Sequence, residues 1–104
     1  MILSIVIPVY NSEEILDELI NQITSAIDKK INLFKEFEII LVNDSSEDSS
    51  WQKIKDISNN QKNIIGINLS KNFGQHNALM AGIKISRGDF LITMDDDLQH
   101  PPSY

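Results

Sequence analysis

The chain has 104 residues, 41% apolar and 23% charged, which suffices for one small domain with a core and is too short for two. Fifteen acidic against nine basic residues leave a net charge of −6, which argues against a general nucleic-acid surface. There is no cysteine, so neither a disulfide framework nor a thiolate metal site can form, and a reducing, cytoplasmic setting fits.

Element by element, the pattern alternates. Leu3 to Tyr10 is rich in Ile and Val and reads as a buried strand. Asn11, with Glu14 three residues on, has the shape of a capping box. Ile15, Leu16, Leu19, Ile20, Ile23 and Ile27 follow at helical spacing, and Glu14, Asp17, Glu18, Asn21 and Gln22 fill the other face. Lys29 and Lys30 near the helix end suit its dipole. Phe37 to Val42 is a second strand running into the polar stretch "NDSSEDSS". Trp51, Ile54 and Ile57 recur every three residues and mark a second helix. Ile64 to Leu69 is a third strand. Gly74 to Ser86 is a third helix whose Ala78, Ala81 and Gly82 would allow close packing on a sheet. After the turn "RGD", Phe90 to Met94 reads as a fourth buried strand. No run approaches the roughly 18 to 20 apolar residues of a membrane span, and no basic region precedes an apolar stretch as in a signal peptide.

The order β-α-β-α-β-α-β, with strands apolar on both faces, predicts an α/β domain with a parallel sheet of about four strands and helices on both faces. Ligands of such sheets bind beyond the carboxyl ends of the strands. The residues there are Tyr10, Asn11 and Ser12; then Asn43, Asp44, Ser45 and Ser46; then Ser70, Lys71, Asn72, Phe73 and Gly74; then Asp95, Asp96 and Asp97. Carboxylates crowded on one rim raise each other's pKa unless a cation joins them. Mg2+ or Mn2+ takes such hard oxygen ligands together with substrate phosphates. In an extended segment Asp95, Asp97 and Gln99 share one side, and Asp96 points to the other. Each residue also has a plainer reading. "DDD" is also the composition of a solvated turn, Asp44 of an N-cap for the second helix, and Lys71 of a surface lysine. Asn11 reads as a helix cap, Trp51 as core, and His76 and His100 as ordinary polar residues. The coincidence of the acids with strand ends favours a site.

Together "LSIVIPVYN", "EIILVNDSSEDSS" and "NLSKNFGQHNALMAGIKISRGDFLITMDDDLQHPP" resemble the N-terminal half of a family 2 glycosyltransferase. The look is that of the polyprenyl-phosphate glycosyltransferases, which are similar to dolichol-phosphate mannose synthase. The resemblance covers essentially the whole chain. It implies a GT-A-type, Rossmann-like fold that binds a nucleotide-sugar, with a D-x-D motif holding Mg2+ or Mn2+ against the diphosphate. Pro8 and Tyr10 would lie along the nucleoside, Asp44 would bond the base, and Lys71 would approach the nucleotide. Asp95 would face the ribose and metal, with Asp96 left to the donor side, and Asp97 and Gln99 would complete the metal ligands. Two positions depart from the family pattern. Ser45 stands where glycine is usual, which would strain it if that position has positive φ. Ser12 stands where an acidic residue often follows the Tyr-Asn pair.

The implied reaction is inverting glycosyl transfer from a UDP- or GDP-sugar. The acceptor is a lipid phosphate, already ionised and little in need of a base, or a glycan hydroxyl, which needs one. No catalytic base and no acceptor-binding residue is read here, and none of the partners is a nucleic acid. The chain is expected to be a fragment, 1–104, ending just past the D-x-D motif, and to be inactive in transfer by itself. The full-length protein, with a role in cell-envelope polysaccharide, is expected at the cytoplasmic face of the membrane. Surface uncovered by truncation predicts a homo-oligomer. The alternatives are a non-catalytic nucleotide-binding fragment, a nucleotidyltransferase-like protein and a response-regulator receiver. "PVYNSEE" lacks the Gly-rich loop that the second would carry after strand one, and "VYNS" stands where the third would carry an acidic pair.

Overall fold

The computed structural model describes residues 2–30, 36–71 and 74–95. Along these the elements alternate as β1 (Ile2–Val9), α1 (Leu16–Lys30), β2 (Glu36–Asn43), α2 (Ser50–Asn60), β3 (Ile64–Asn68), α3 (Gln75–Ile85) and β4 (Phe90–Thr93). The strands lie in the order β3-β2-β1-β4, and every pairing is parallel. This is the expected α/β architecture.

The two faces of the sheet follow from the period-two alternation of strand side chains. Leu3, Ile5, Ile7 and Val9 of β1 and Ile39 and Leu41 of β2 pack with the apolar stripe of α1 and with Ile54 and Ile57 of α2. Val6, Ile40 and Val42 face the other way, onto Ala78 of α3. Because both faces are covered, β1 and β2 are apolar nearly throughout. The first two connections step one way across the sheet, and the third steps back past β1 to β4. With a constant right hand, that reversal carries α3 to the opposite face. The small residues expected to permit close packing do so. A Cβ built on Gly82 would lie 2.4 Å from a Val6 methyl, so helix and sheet meet there without a side chain between. Gly66 similarly leaves room for Ile54 and the Trp51 ring, which a Cβ would meet at 2.6 and 3.2 Å.

Two expectations are corrected. The first helix does not start at a capping box on Asn11. It begins at Leu16, after a turn in which the Ile15 N–H donates to the Ser12 carbonyl at 3.1 Å. Asn11 has φ 51°, and its side-chain oxygen accepts the Glu47 N–H at 2.8 Å. A donor from another loop replaces the local one. The fourth strand is apolar but not buried: Phe90, Leu91 and Ile92 are 51%, 41% and 41% exposed. Among the described residues it lies at the sheet edge and pairs with β1 alone. An apolar run signals a buried strand only where neighbours cover both flanks.

The amino-terminal edge of the sheet is tied by a buried carboxylate. Ser4 and Glu38 face each other in register. The Ser4 hydroxyl donates to Glu38 Oε2 at 2.6 Å and accepts the Gly88 N–H at 2.8 Å. The Arg87 N–H donates to the same Oε2 at 2.7 Å. The Asp89 carboxylate accepts the Ile2 N–H at 2.8 Å, and the Asp89 N–H donates to the Ile2 carbonyl at 2.8 Å. The expected turn at Arg87–Asp89 is thus bonded to β1 and β2 and sets the start of β4.

Candidate functional site

The strand order reverses at β1, because β2 lies on one side of it and β4 on the other. In open α/β sheets the crevice at such a switch point, beyond the carboxyl ends, is where ligands bind. Pro8 bears on that crevice. Val6 bonds toward β4, since its carbonyl accepts the Met94 N–H at 3.0 Å, whereas Val9 bonds toward β2 by accepting the Asp44 N–H at 2.9 Å. Alternation puts Pro8 on the β4-facing parity. A proline has no N–H to continue that ladder, and the β1–β4 pairing ends at Val6 and Thr93. The two strands therefore part just where Tyr10 and Asp95 follow.

The proposed donor residues fall along this edge in spatial order: Lys71 after β3, Asp44 after β2, Tyr10 after β1 and Asp95 after β4. Tyr10 is 44% exposed, whereas Asp44 is buried, with 4% exposed. Asp95 is exposed and lines a cavity of about 280 Å³ with Leu79, Thr93 and Met94. With strands about 4.8 Å apart, Asp44 and Asp95 are separated by two strand spacings. β1 thus lies between the two acidic strand ends. Lys71, exposed at the far edge, is three spacings from Asp95, roughly 14 Å by the same geometry. Asp96, Asp97 and Gln99 lie outside the described residues. Among the described residues no group of three or more His, Asp or Glu side chains is placed to hold a metal ion.

Asp44 is also not an N-cap. The cap position of α2 is Ser49, without a side-chain bond, and it is the Asp48 carboxylate that accepts the Ser50 N–H at 2.9 Å. Asp48 also accepts the Glu13 N–H at 3.3 Å. Burial alone would raise its pKa, but the hydrogen bonds from Ser50 and Glu13 outweigh that and hold it below the usual carboxylate value. The Ser12 N–H donates to the Ser50 hydroxyl at 2.8 Å, so the loops after β1 and β2 are joined more than once.

Sequence reading took Asn11 only as a cap and gave Asn43, Ser46 and Asn68 no part in the other joins. The Asn11 N–H donates to the Ser46 hydroxyl at 3.0 Å, and that hydroxyl donates to Asn43 Oδ1 at 2.5 Å. Asn43 Nδ2 donates to Asn68 Oδ1 at 2.8 Å, reaching β3. The only local signal was a cluster of small polar residues at strand ends. Their pairing across 25 to 36 positions has no local signature.

Ser45 has φ 56°, the left-handed value that makes serine costly where the family pattern has glycine. A non-glycine residue there costs about 1–2 kcal/mol, and glycine recovers part of this after its larger entropy loss on folding. Ser45→Gly is therefore expected to stabilise the fold by about 0.5–1 kcal/mol, on the scale of other compatible glycine changes. Thermal unfolding would show a melting point a few degrees higher. An unchanged or lower one would contradict a strained Ser45.

Comparison with known proteins adds to this geometry. The family model described as "Glycosyl transferase family 2" matches residues 4–104. A protein of Pseudomonas fluorescens named undecaprenyl-phosphate 4-deoxy-4-formamido-L-arabinose transferase is 48% identical over 100 residues, covering 95% of this chain and 28% of the relative. A protein of the same name from Aeromonas hydrophila is 42% identical over 102 residues, covering 97% of this chain and 30% of the relative. The chain thus spans under a third of the length of these curated relatives. Among solved structures, S. aureus TarS 1-349 in complex with UDP-GlcNAc superposes with a TM-score of 0.74 at 31% identity, covering 93% of this chain and 27% of that one. A mannosyltransferase of Pyrobaculum calidifontis, solved with GDP-Man and Mn2+, superposes with a TM-score of 0.70 at 16% identity, covering 91% and 27%. That last likeness is one of fold alone.

Proposed function

The chain belongs to glycosyl transferase family 2, and on that premise we propose that it forms the nucleotide-sugar-binding part of an enzyme that transfers a sugar to a polyprenyl phosphate. The observation that carries this reading is the reversal of strand order at β1, which sets the strand end with Pro8 and Tyr10 between the end that carries Asp95 and the end that carries Asp44. Tyr10 offers an exposed ring to the nucleoside. Asp44 offers a carboxylate in low-dielectric surroundings, where a hydrogen bond to the base is stronger than in water. Lys71, at the far edge, is the proposed contact most distant from the metal side.

Asp95 supplies a hard oxygen at the cavity mouth, the donor type that Mg2+ or Mn2+ takes alongside substrate phosphates. Asp97 and Gln99 would join it, with Asp96 on the donor side. When bound, the cation would neutralise charge on the departing nucleotide diphosphate. The lipid-phosphate acceptor is supported by the names of the two relatives, and a full-length protein acting at the cytoplasmic face of a membrane would fit it. No helix among the described residues is long and apolar enough to cross one. Acceptor-binding groups would lie outside residues 1–104, so the chain alone would bind donor without transferring sugar. The nucleotidyltransferase and receiver alternatives have no support in the family match.

Calorimetric titration with UDP and GDP, with and without Mn2+, tests the reading. Metal-dependent binding is expected, to UDP first on the likeness to TarS. Asp44→Asn should weaken it roughly ten- to a hundredfold, the worth of a hydrogen bond to a charged group. The absence of binding to either nucleotide would leave the chain a scaffold.

The exposed Phe90, Leu91 and Ile92 on an open strand edge support self-association of this 104-residue chain. Light scattering at roughly 100 μM should give at least twice the 11.8 kDa of one chain. A monomeric mass would refute this.

A further inference from the structure

We propose that Asn11, Asn43 and Ser46 are positioning residues: a side-chain relay that holds the loops after β1 and β2 in the geometry the donor pocket needs. The proposal rests on the donor-site reading above and adds residues to which that reading gives no part.

The relay runs across three strand ends. Asn68 on β3 accepts from Asn43, Asn43 accepts from Ser46, Ser46 accepts from the Asn11 backbone, and the Asn11 side chain accepts from the Glu47 backbone. The strand ladders end near Asn43 and Asn68, with the Leu69 N–H still on the Asn43 carbonyl and the Asp44 N–H on the Val9 carbonyl, and the bonds of the relay add side-chain links to these. The Ser46 hydroxyl is both donor and acceptor in the chain, so one oxygen links the Asn43 side chain to the Asn11 backbone. Asn11 meets its partners from a left-handed backbone with φ 51°, a conformation that asparagine tolerates better than most residues. Ser45, at φ 56°, lies between Asp44 and Ser46. Two uncommon conformations facing each other across one set of bonds persist only where the surroundings over-determine them.

Tyr10 adjoins Asn11, and Asp44 adjoins Asn43. The orientation of both proposed donor contacts therefore depends on bonds made by their neighbours. A pocket set before the ligand arrives gains affinity by avoiding the cost of ordering on binding. The relay would also explain why polar residues occupy the buried Asn43 and half-buried Ser46 positions, although neither caps a helix.

The test uses Ser46→Ala, Asn11→Gly and their double variant, with Ser46→Thr as the conservative control. Asn11→Gly keeps the left-handed backbone accessible and removes only the amide. Nucleotide affinity is read by calorimetry with UDP and Mn2+, and loop order by amide hydrogen exchange without ligand. Each single variant is expected to weaken UDP binding about tenfold. The double variant should be little worse than the weaker-binding single, because members of one network are not additive. Ser46→Thr should bind like the parent chain. In Ser46→Ala the Glu47 amide should lose protection, although its own partner is Asn11. Parent-like affinity in both single variants, or a Glu47 amide still protected in Ser46→Ala, would overturn the proposal. If the parent chain binds no nucleotide, the donor-site reading fails separately. The exchange result then decides the relay: protection lost at Glu47 supports it, and protection kept refutes it.

Discussion

Replacing Glu38 with alanine is expected to destabilise the domain by about 3 kcal/mol, the scale for leaving two or more part-buried donors without an acceptor. The Glu38 carboxylate is 96% buried, its exposure being 4%. It accepts from the Ser4 hydroxyl and the Arg87 N–H. Its loss strands both donors and loosens the Gly88 N–H held by Ser4, and each unsatisfied buried group costs about 1–3 kcal/mol. The Arg87 guanidinium is a different matter. It lies 3.6 Å from Glu38 Oε1 and its side chain is 77% exposed, so the pair is screened and contributes under about 1 kcal/mol. Arg87→Ala should therefore change little, because it is the Arg87 backbone that the carboxylate holds. By thermal unfolding, Glu38→Ala should lower Tm by roughly 15 °C, taking about 4–8 °C per kcal/mol for a domain of this size, and Arg87→Ala by only a few degrees. Equal effects of the two substitutions would show that the ion pair, and not the backbone tie, secures the start of β4.

A comparable loss is expected at Gly82. The helix would gain up to about 1 kcal/mol from alanine by propensity alone. The added Cβ, however, would lie 2.4 Å from Val6 Cγ1 and 3.1 Å from Val42 Cγ2. Both valines are fully buried on the adjacent central strands β1 and β2, and they have packed neighbours on every side. Relief would require α3 to move away from the sheet as a unit, and overpacking of this kind costs about 1–3 kcal/mol. Gly82→Ala should come out net destabilising, by up to about 2 kcal/mol after the propensity gain is set against that cost. Gly82→Val, with two more methyl groups and a poor helix former, should exceed about 3 kcal/mol. Urea unfolding would measure both. A Gly82→Ala variant more stable than the parent would mean that α3 does not sit against Val6.

The same helix shows what local sequence could and could not reveal. The stripe Ala78, Ala81 and Gly82 was legible as a close-packing face, because small residues at helical spacing have few other uses in a soluble α/β domain. Strand identity in β1, β2 and β3 was legible from continuous runs of Ile, Val and Leu. The parallel sheet followed from their alternation with amphipathic helices. The strained serine was legible at Ser45, since the family pattern has glycine there and the structure has φ 56°.

What the sequence alone determined is therefore the architecture, the family and the edge of the sheet at which a site must be sought. These depend on periodicity and on a motif order that survive without knowledge of any contact. What only the tertiary structure decided is who partners whom. Asn11 looked like a cap because Glu14 is close in sequence, yet its bonds go to Glu47 and Ser46 in a loop about 35 positions away. Asp44 looked like a possible cap for α2, and Asp48 took the Ser50 amide instead. Two acidic strand ends were read as parts of one rim, and only the strand order shows that β1 lies between them. The apolar β4 looked buried, and it is an exposed edge. For Asn11 the partner is set by which strand ends the crossovers bring side by side, and for β4 the exposure is set by its place in the strand order.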